Sequence, residues 1–181
     1  SALDSSLSVS SVGGNEDADI PVSIAINTNG DSDETVGSIT ITGVPDGASL
    51  SAGTLNNDGS YTLTEAQLSG LTITPADDSG DDVSLNVSVA IDENGTSYTL
   101  SSDVTIDVTP VADAPNLSVS NASGDEDTAI ALDISSSLND IDGSESLAIT
   151  ISGVPEGASL SAGTDNGDGS YTLTAAQLED L

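Results

Sequence analysis

Aliphatic residues along this chain recur at every second position, in short runs set between polar turns. Ser38-Ile39-Thr40-Ile41-Thr42 alternates cleanly, as do Leu85, Val87, Val89 and Ile91, and then Val104, Ile106 and Val108. A period of two places one set of side chains on one face, so these runs predict half-buried strands. Through residue 109 the pattern predicts strands near 7–11, 20–26, 36–42, 48–52, 60–64, 71–75, 84–91 and 98–109. Asp58-Gly59 and Asp168-Gly169 stand between apolar flanks and predict hairpin turns, where glycine tolerates positive φ. Thr64 with Gln67, and Thr174 with Gln177, make capping boxes that predict a short helical turn. Seven or eight strands with no helical period elsewhere predict an all-β fold, an antiparallel β-sandwich. Alternation also requires Asp107, between Ile106 and Val108, to face outward.

Sliding the 181-residue chain against itself by 110 residues aligns 7–71 with 117–181, and 36 of those 65 pairs are identical. From Gly43-Val44-Pro45 to Leu71 the match rises to 23 of 29. A period this long is a whole domain rather than a solenoid rung. The expected organisation is the end of a preceding linker at 1–6, one sandwich repeat at 7–116 with a linker at 107–116, and a second, incomplete repeat at 117–181. The second copy lacks the counterparts of the runs at 84–91 and 98–109, which would leave core and a sheet edge open. Three accounts compete: the chain continues, a neighbouring chain supplies the strands, or an insertion splits the domain. Continuation is the favoured expectation.

Composition narrows the chemistry. The chain has 31 Asp and Glu and no Lys, Arg or His, for a formal charge of −31. Such a charge with 2% aromatics resembles a disordered polyanion, but 35% apolar content arranged in alternating runs argues for a folded chain. Without cations the chain lacks the means to neutralise phosphates, so nucleic-acid partners are not expected, and anionic membranes repel it. No His, Cys or Lys means no Ser-His-Asp or Cys-His nucleophile, no Schiff base, no disulfide and no thiolate or imidazole zinc site. No apolar stretch reaches the roughly 18 residues of a membrane span, and no signal peptide is evident. Carboxylate oxygens remain, and they suit Ca²⁺ or Mg²⁺.

The acids cluster in loops: Glu16, Asp17 and Asp19; Asp31, Asp33 and Glu34; Asp77, Asp78, Asp81 and Asp82; Asp92 and Glu93. The second copy repeats the first two groups as Asp125, Glu126 and Asp127, and as Asp140, Asp142 and Glu145. Close carboxylates repel one another unless something positive sits among them. Asp also favours turns through side-chain bonds to the backbone, the preferred reading for 77–82 and Asp58. The Asp-x-Asp pairs carry the stronger metal signal, since two carboxylates at i and i+2 in a loop can share a cation that takes six to eight oxygens.

The segment Val104 to Pro115 resembles the final strand and linker of cadherin-like domains. Asn15-Glu16-Asp17 is similar to that family's opening Glu, Asp31-Ser32-Asp33 to its Asp-x-Asp, and Ala90-Ile91-Asp92 to its Ala-x-Asp. More closely, Pro-Val-Ala-Asp-Ala-Pro (110–115), Glu-Asp-Thr-Ala-Ile (126–130) and Leu-Thr-Ala-Ala-Gln-Leu (173–178) resemble the tandem cadherin-like or Ig-like repeats of giant RTX-type adhesins exported by type I secretion. The resemblance implies Ca²⁺ at domain junctions, and long acidic filaments on the bacterial cell surface that serve adhesion and biofilm formation. It assigns Glu16, Asp113, Asp140 and Asp142 to the junction of the two copies, with Glu145 as a further ligand. Asp31, Asp33 and Asp92 would face a preceding domain, and Glu126 a following one. Only Asp113 stands where cadherins have a richer linker, which implies one or two ions per junction. The implied partners are adjacent repeats of the same chain, and a surface or matrix ligand reached through other domains.

The expected function is therefore a calcium-rigidified extracellular spacer, with no enzymatic role. A carbohydrate- or protein-binding module is the alternative, although Tyr61 and Tyr171 are expected in the core rather than as stacking platforms. A carboxylate-pair glycosidase ranks last, because loop acids without apolar neighbours lack the burial that raises a pKa.

Overall fold

A computed structural model describes residues 4–30, 32–140 and 143–181. The chain divides into two compact units, Ser1–Val111 and Ala112–Leu181. This division places Asp113 in the second unit.

Unit 1 contains β1 (Ser6–Ser11), β2 (Gly14–Asn15), β3 (Ile20–Asn27), β4 (Glu34–Thr42), β5 (Ser49–Leu50), β6 (Thr54–Leu55), β7 (Tyr61–Leu63), a 3₁₀ turn (Glu65–Leu68), β8 (Thr72–Thr74), β9 (Val83–Glu93), β10 (Thr96–Ile106) and β11 (Val108–Thr109). One sheet runs β1-β3-β8-β5 and the other β10-β9-β4-β7-β6. Both are antiparallel throughout, and a parallel pairing of β2 with β11 stands apart from them. Alternation explains why the sheets face each other. In β9 every second residue from Val83 to Ile91 is buried, and these side chains join Ile39, Ile41 and Leu63 of the same sheet and Val22, Ile24 and Ile73 of the other in one cluster. Fully burying an aliphatic side chain of this kind contributes about 1.5–3 kcal/mol, so the two inner faces hold the unit together as an all-β sandwich.

Local chemistry sets the corners. Asn94 (φ 53) and Gly95 (φ 81) both take positive φ between β9 and β10, as a type I′ hairpin requires. A register shift against β9 between Val36 and Ile39 marks a bulge there. At the expected Asp58-Gly59 turn, Asn56 N–H donates to Ser60 C=O at 2.8 Å. The capping box forms, with Thr64 N–H donating to Gln67 Oε1 at 2.8 Å. Asp107 is exposed between buried Ile106 and Val108, as alternation requires. The expected strand at 98–109 is broken at Asp107. Its C=O accepts from Gly14 N–H at 3.0 Å, so the chain turns from pairing with β9 to pairing with β2. The two-residue strands β2 and β6 were not among the expected elements.

Unit 2 contains β12 (Asn116–Val119), β13 (Ile134–Ser137), β14 (Ile149–Ser152), β15 (Thr164–Asp165), β16 (Ser170–Leu173) and a second 3₁₀ turn (Ala175–Leu178). Asn116↔Ser137 and Ile149↔Leu173 reproduce Ser6↔Asn27 and Ile39↔Leu63 at an offset of 110. Its sheets are β12-β13 and β14-β16-β15, and its core gathers Ile149, Tyr171, Leu173, Leu178 and Leu181. Segments 130–132 and 159–160, whose counterparts flank β8 in unit 1, are not strands here. Among the described residues no helix is long and apolar enough to cross a membrane.

Candidate functional site

The carboxylates expected to bind metal fall into distinct environments. Glu16 follows β2, and the β2–β11 pairing draws it into the unit: it is 3% exposed, its N–H donates to Thr109 C=O at 3.1 Å, and its Oε1 accepts from Val111 N–H at 2.5 Å. This carboxylate ties the start of unit 1 to its last residues. Its repeat counterpart Glu126 is exposed, and no β11 counterpart exists among the described residues of unit 2 to cover it.

Asp33 is exposed in the turn before β4. Asp92 lies near the end of β9, where its Oδ1 accepts from Gly95 N–H at 3.0 Å and supports the hairpin. In unit 2, Asp140 is 1% exposed and its Oδ2 accepts from Ser144 Oγ at 3.0 Å. Glu145, half-buried, accepts from Asp113 N–H through Oε1 at 2.5 Å. Its other oxygen, Oε2, is buried with no hydrogen-bond partner among the described residues. Asp31 and Asp142, one from each Asp-x-Asp pair, lie outside the described residues. Among the described residues no three carboxylates converge to hold a metal.

Other acids have structural partners. Asp58 Oδ1 accepts from Ser60 N–H at 3.0 Å and Ser60 Oγ at 2.6 Å, and the Ser60 hydroxyl, followed by its amide, holds the Asp58 carboxyl below the usual value. Asp168 repeats this with Ser170. From the 77–82 cluster, Asp82 Oδ1 accepts from Val108 N–H at 3.1 Å. Glu34, outside the candidate set, accepts from Tyr98 Oη at 2.7 Å through one oxygen and from Ser5 Oγ through the other. The Ser5 hydroxyl lowers the Tyr98 phenol, yet the Glu34 hydrogen bond, desolvation and the charges of Glu34 and Glu93 together leave it above its usual value. Phase was the available signal, since Glu34 precedes Val36 by two residues and shares its half-buried face. Tyr61 and Tyr171 are buried in their cores, 7% and 8% exposed, as expected.

These features define an all-β protein of antiparallel sheets, with its buried carboxylates beside the unit ends and loops. The chain matches no protein-family model, no curated protein and no solved structure.

Proposed function

We propose that this chain is a calcium-rigidified spacer segment of a large secreted bacterial surface adhesin, serving adhesion and biofilm formation outside the cell. The observation that carries the reading is the buried Oε2 of Glu145 in a chain without Lys, Arg or His. Shielding an ionised carboxylate oxygen from water is costly unless a positive charge meets it. In this protein the positive side-chain charge is absent, so either a proton or a cation from solution neutralises the group, and we assign the cation. Hard carboxylate oxygens suit Ca²⁺. Glu145 fits best; Asp140, Asp113 and Asp142 complete the unit 2 candidates, and Glu16, Asp31, Asp33 and Asp92 those of unit 1. Glu126, exposed on its loop, is the weakest fit. Bound calcium supplies charge neutralisation and crosslinks loops that otherwise repel.

The test is a Ca²⁺ titration of the EDTA-treated protein, following melting temperature and the maximum dimension from solution scattering. A site filled to 100 times its dissociation constant adds about 2.7 kcal/mol, so the melting temperature rises and the dimension lengthens. Glu145→Gln should weaken the calcium response about tenfold or more by removing one ligand charge. A melting temperature and length both indifferent to Ca²⁺ would overturn the reading.

A further inference from the structure

The loop after β4 and the β6–β7 hairpin enclose a cleft in unit 1, and the corresponding segments enclose a second cleft in unit 2. The cleft between 44–48 and 55–61 holds about 460 Å³, and that between 154–158 and 165–171 about 450 Å³. The same turns build both. Ala48 N–H donates to Pro45 C=O at 3.1 Å and Ala158 N–H to Pro155 C=O at 3.0 Å. Asn56 and Asn166 N–H close the two hairpins onto Ser60 and Ser170 C=O at 2.8 and 3.0 Å. Each cleft is therefore shaped by residues of its own copy.

Tyr61 and Tyr171 line the two clefts and are 7% and 8% exposed. A tyrosine buried this far usually finds a partner for its hydroxyl. Neither hydroxyl makes a hydrogen bond among the described residues, and neither is among the polar atoms sealed from solvent without a partner. The exposed remainder of each side chain therefore includes its hydroxyl, which opens into the cleft that the ring lines. Around it stand acceptors: Asp46 and Asp58 in the first cleft, and Glu156, Asp165 and Asp168 in the second. The side-chain donors common to both clefts are already engaged. Asn56 Nδ2 donates to Ser60 Oγ and Thr62 Oγ1, both at 2.9 Å, and Asn166 Nδ2 to Ser170 Oγ and Thr172 Oγ1 at 3.0 and 3.2 Å. Asn57 gives way to Gly167 in the second copy, so its amide is not a shared donor.

A sugar asks its site for donors as well as acceptors, whereas these clefts offer carboxylates and an unengaged hydroxyl. The complementary ligand is positive, rich in donors and without an acceptor, which describes an ammonium group. We infer that the two clefts are a repeated pair of cation pockets, each taking a primary alkylammonium group between its carboxylates and its tyrosine hydroxyl. Val44 and Pro45, or Val154 and Pro155, receive the alkyl stem. The volumes suit a small organic ligand, and the field of a chain of charge −31 concentrates cations around it. The copies also differ in a way that bears on affinity. Leu55 of the first cleft is Asp165 in the second, the one change of charge between their linings. The unit 2 pocket therefore holds the ammonium more tightly.

The test titrates the intact, isotopically labelled chain in excess Ca²⁺ with butylammonium and, in parallel, with Nα-acetyl-lysine methylamide, following amide chemical shifts. Gly59 and Gly169 should shift saturably at about millimolar concentrations, with the dissociation constant smaller at Gly169 by up to about fivefold. Gly95, in the acidic turn after Asp92 and Glu93, reports diffuse attraction to the chain and should not saturate in that range. The tighter of the two probes distinguishes a free amine from a lysine carried on a polypeptide. Asp165→Leu gives unit 2 the side chain unit 1 has at that place and should bring the two constants together. Tyr171→Phe keeps the buried ring and should weaken binding in unit 2 alone by about twofold to tenfold. The inference is overturned by equal saturation at Gly95, by saturation with uncharged butanol, by Ca²⁺ that moves the pocket glycines and blocks both amines, or by a Tyr171→Phe chain that binds as wild type does.

Discussion

Gly43 and Gly153 occupy the same place in the two copies, take nearly the same backbone angle (φ 90 and 82), and differ in what surrounds them. Substituting alanine at either adds the left-handed penalty of a Cβ, about 1–2 kcal/mol. At Gly43 the new Cβ also falls 2.3 Å from Ser84 C=O, on β9, the backbone of a central strand. Relief demands a shift of that strand, and overpacking of this kind costs a further 1–3 kcal/mol or about that. Gly43→Ala should therefore destabilise unit 1 by about 2–5 kcal/mol, against about 1–2 kcal/mol for Gly153→Ala in unit 2. Amide exchange under native conditions resolves the two units within one sample, with β9 reporting on the first and β16 on the second. Calorimetry should agree, since each kcal/mol moves the midpoint of a domain this size by about 4–8 °C. Equal losses in the two units, or a larger one at Gly153, would refute the claim that β9 is what separates them.

Asp58→Ala removes the acceptor for both Ser60 hydrogen bonds. Because the folded carboxyl titrates below the ordinary 3.8, its contribution is present above that pH and is lost as pH falls through the depressed value. The melting difference between wild type and Asp58→Ala should accordingly narrow below pH 3.8, and a gap that widens on acidification would contradict the assignment. Tyr98→Phe deprives Glu34 of a donor across the sheet and should lower the midpoint of chemical denaturation, and an unchanged midpoint would contradict a stabilising role for that bond. Asp82→Ala should cost about 1.5–3 kcal/mol by stranding Val108 N–H, and faster amide exchange at Val108 is the direct check. Glu145→Gln, as described above, separates calcium binding from folding.

Elements made by their own sequence were legible in it. The capping box at Thr64 and the turn at Asp58 depend on residues two or three positions apart, and both formed as expected. β9 was nearly complete in the run 84–91 because a strand between two neighbours buries every second residue. β2 and β6 were invisible because two residues carry no period; each is a strand only through its partner. The break at Asp107 has the same origin, a bond from Gly14 across 93 residues of chain. Glu16 was singled out by resemblance, but nothing local announced that its carboxylate would hold the amide of Val111, 95 positions away. Glu34 was grouped with loop acids although its phase set it on the half-buried face, so alternation read onto charged residues would have found it.

The shared register of the two copies bears on what a change of repeat number would do to the chain. Within 43–71 and 153–181 the copies are nearly identical, and the pairings they make lie at a constant offset of 110. Joining the two copies anywhere in this stretch, for instance at Gly53 and Gly163, deletes or duplicates 110 residues and keeps the register of the β4–β7 and β6–β7 pairings or of their counterparts β14–β16 and β15–β16. Unequal recombination there changes the chain by one whole repeat without shifting those pairings.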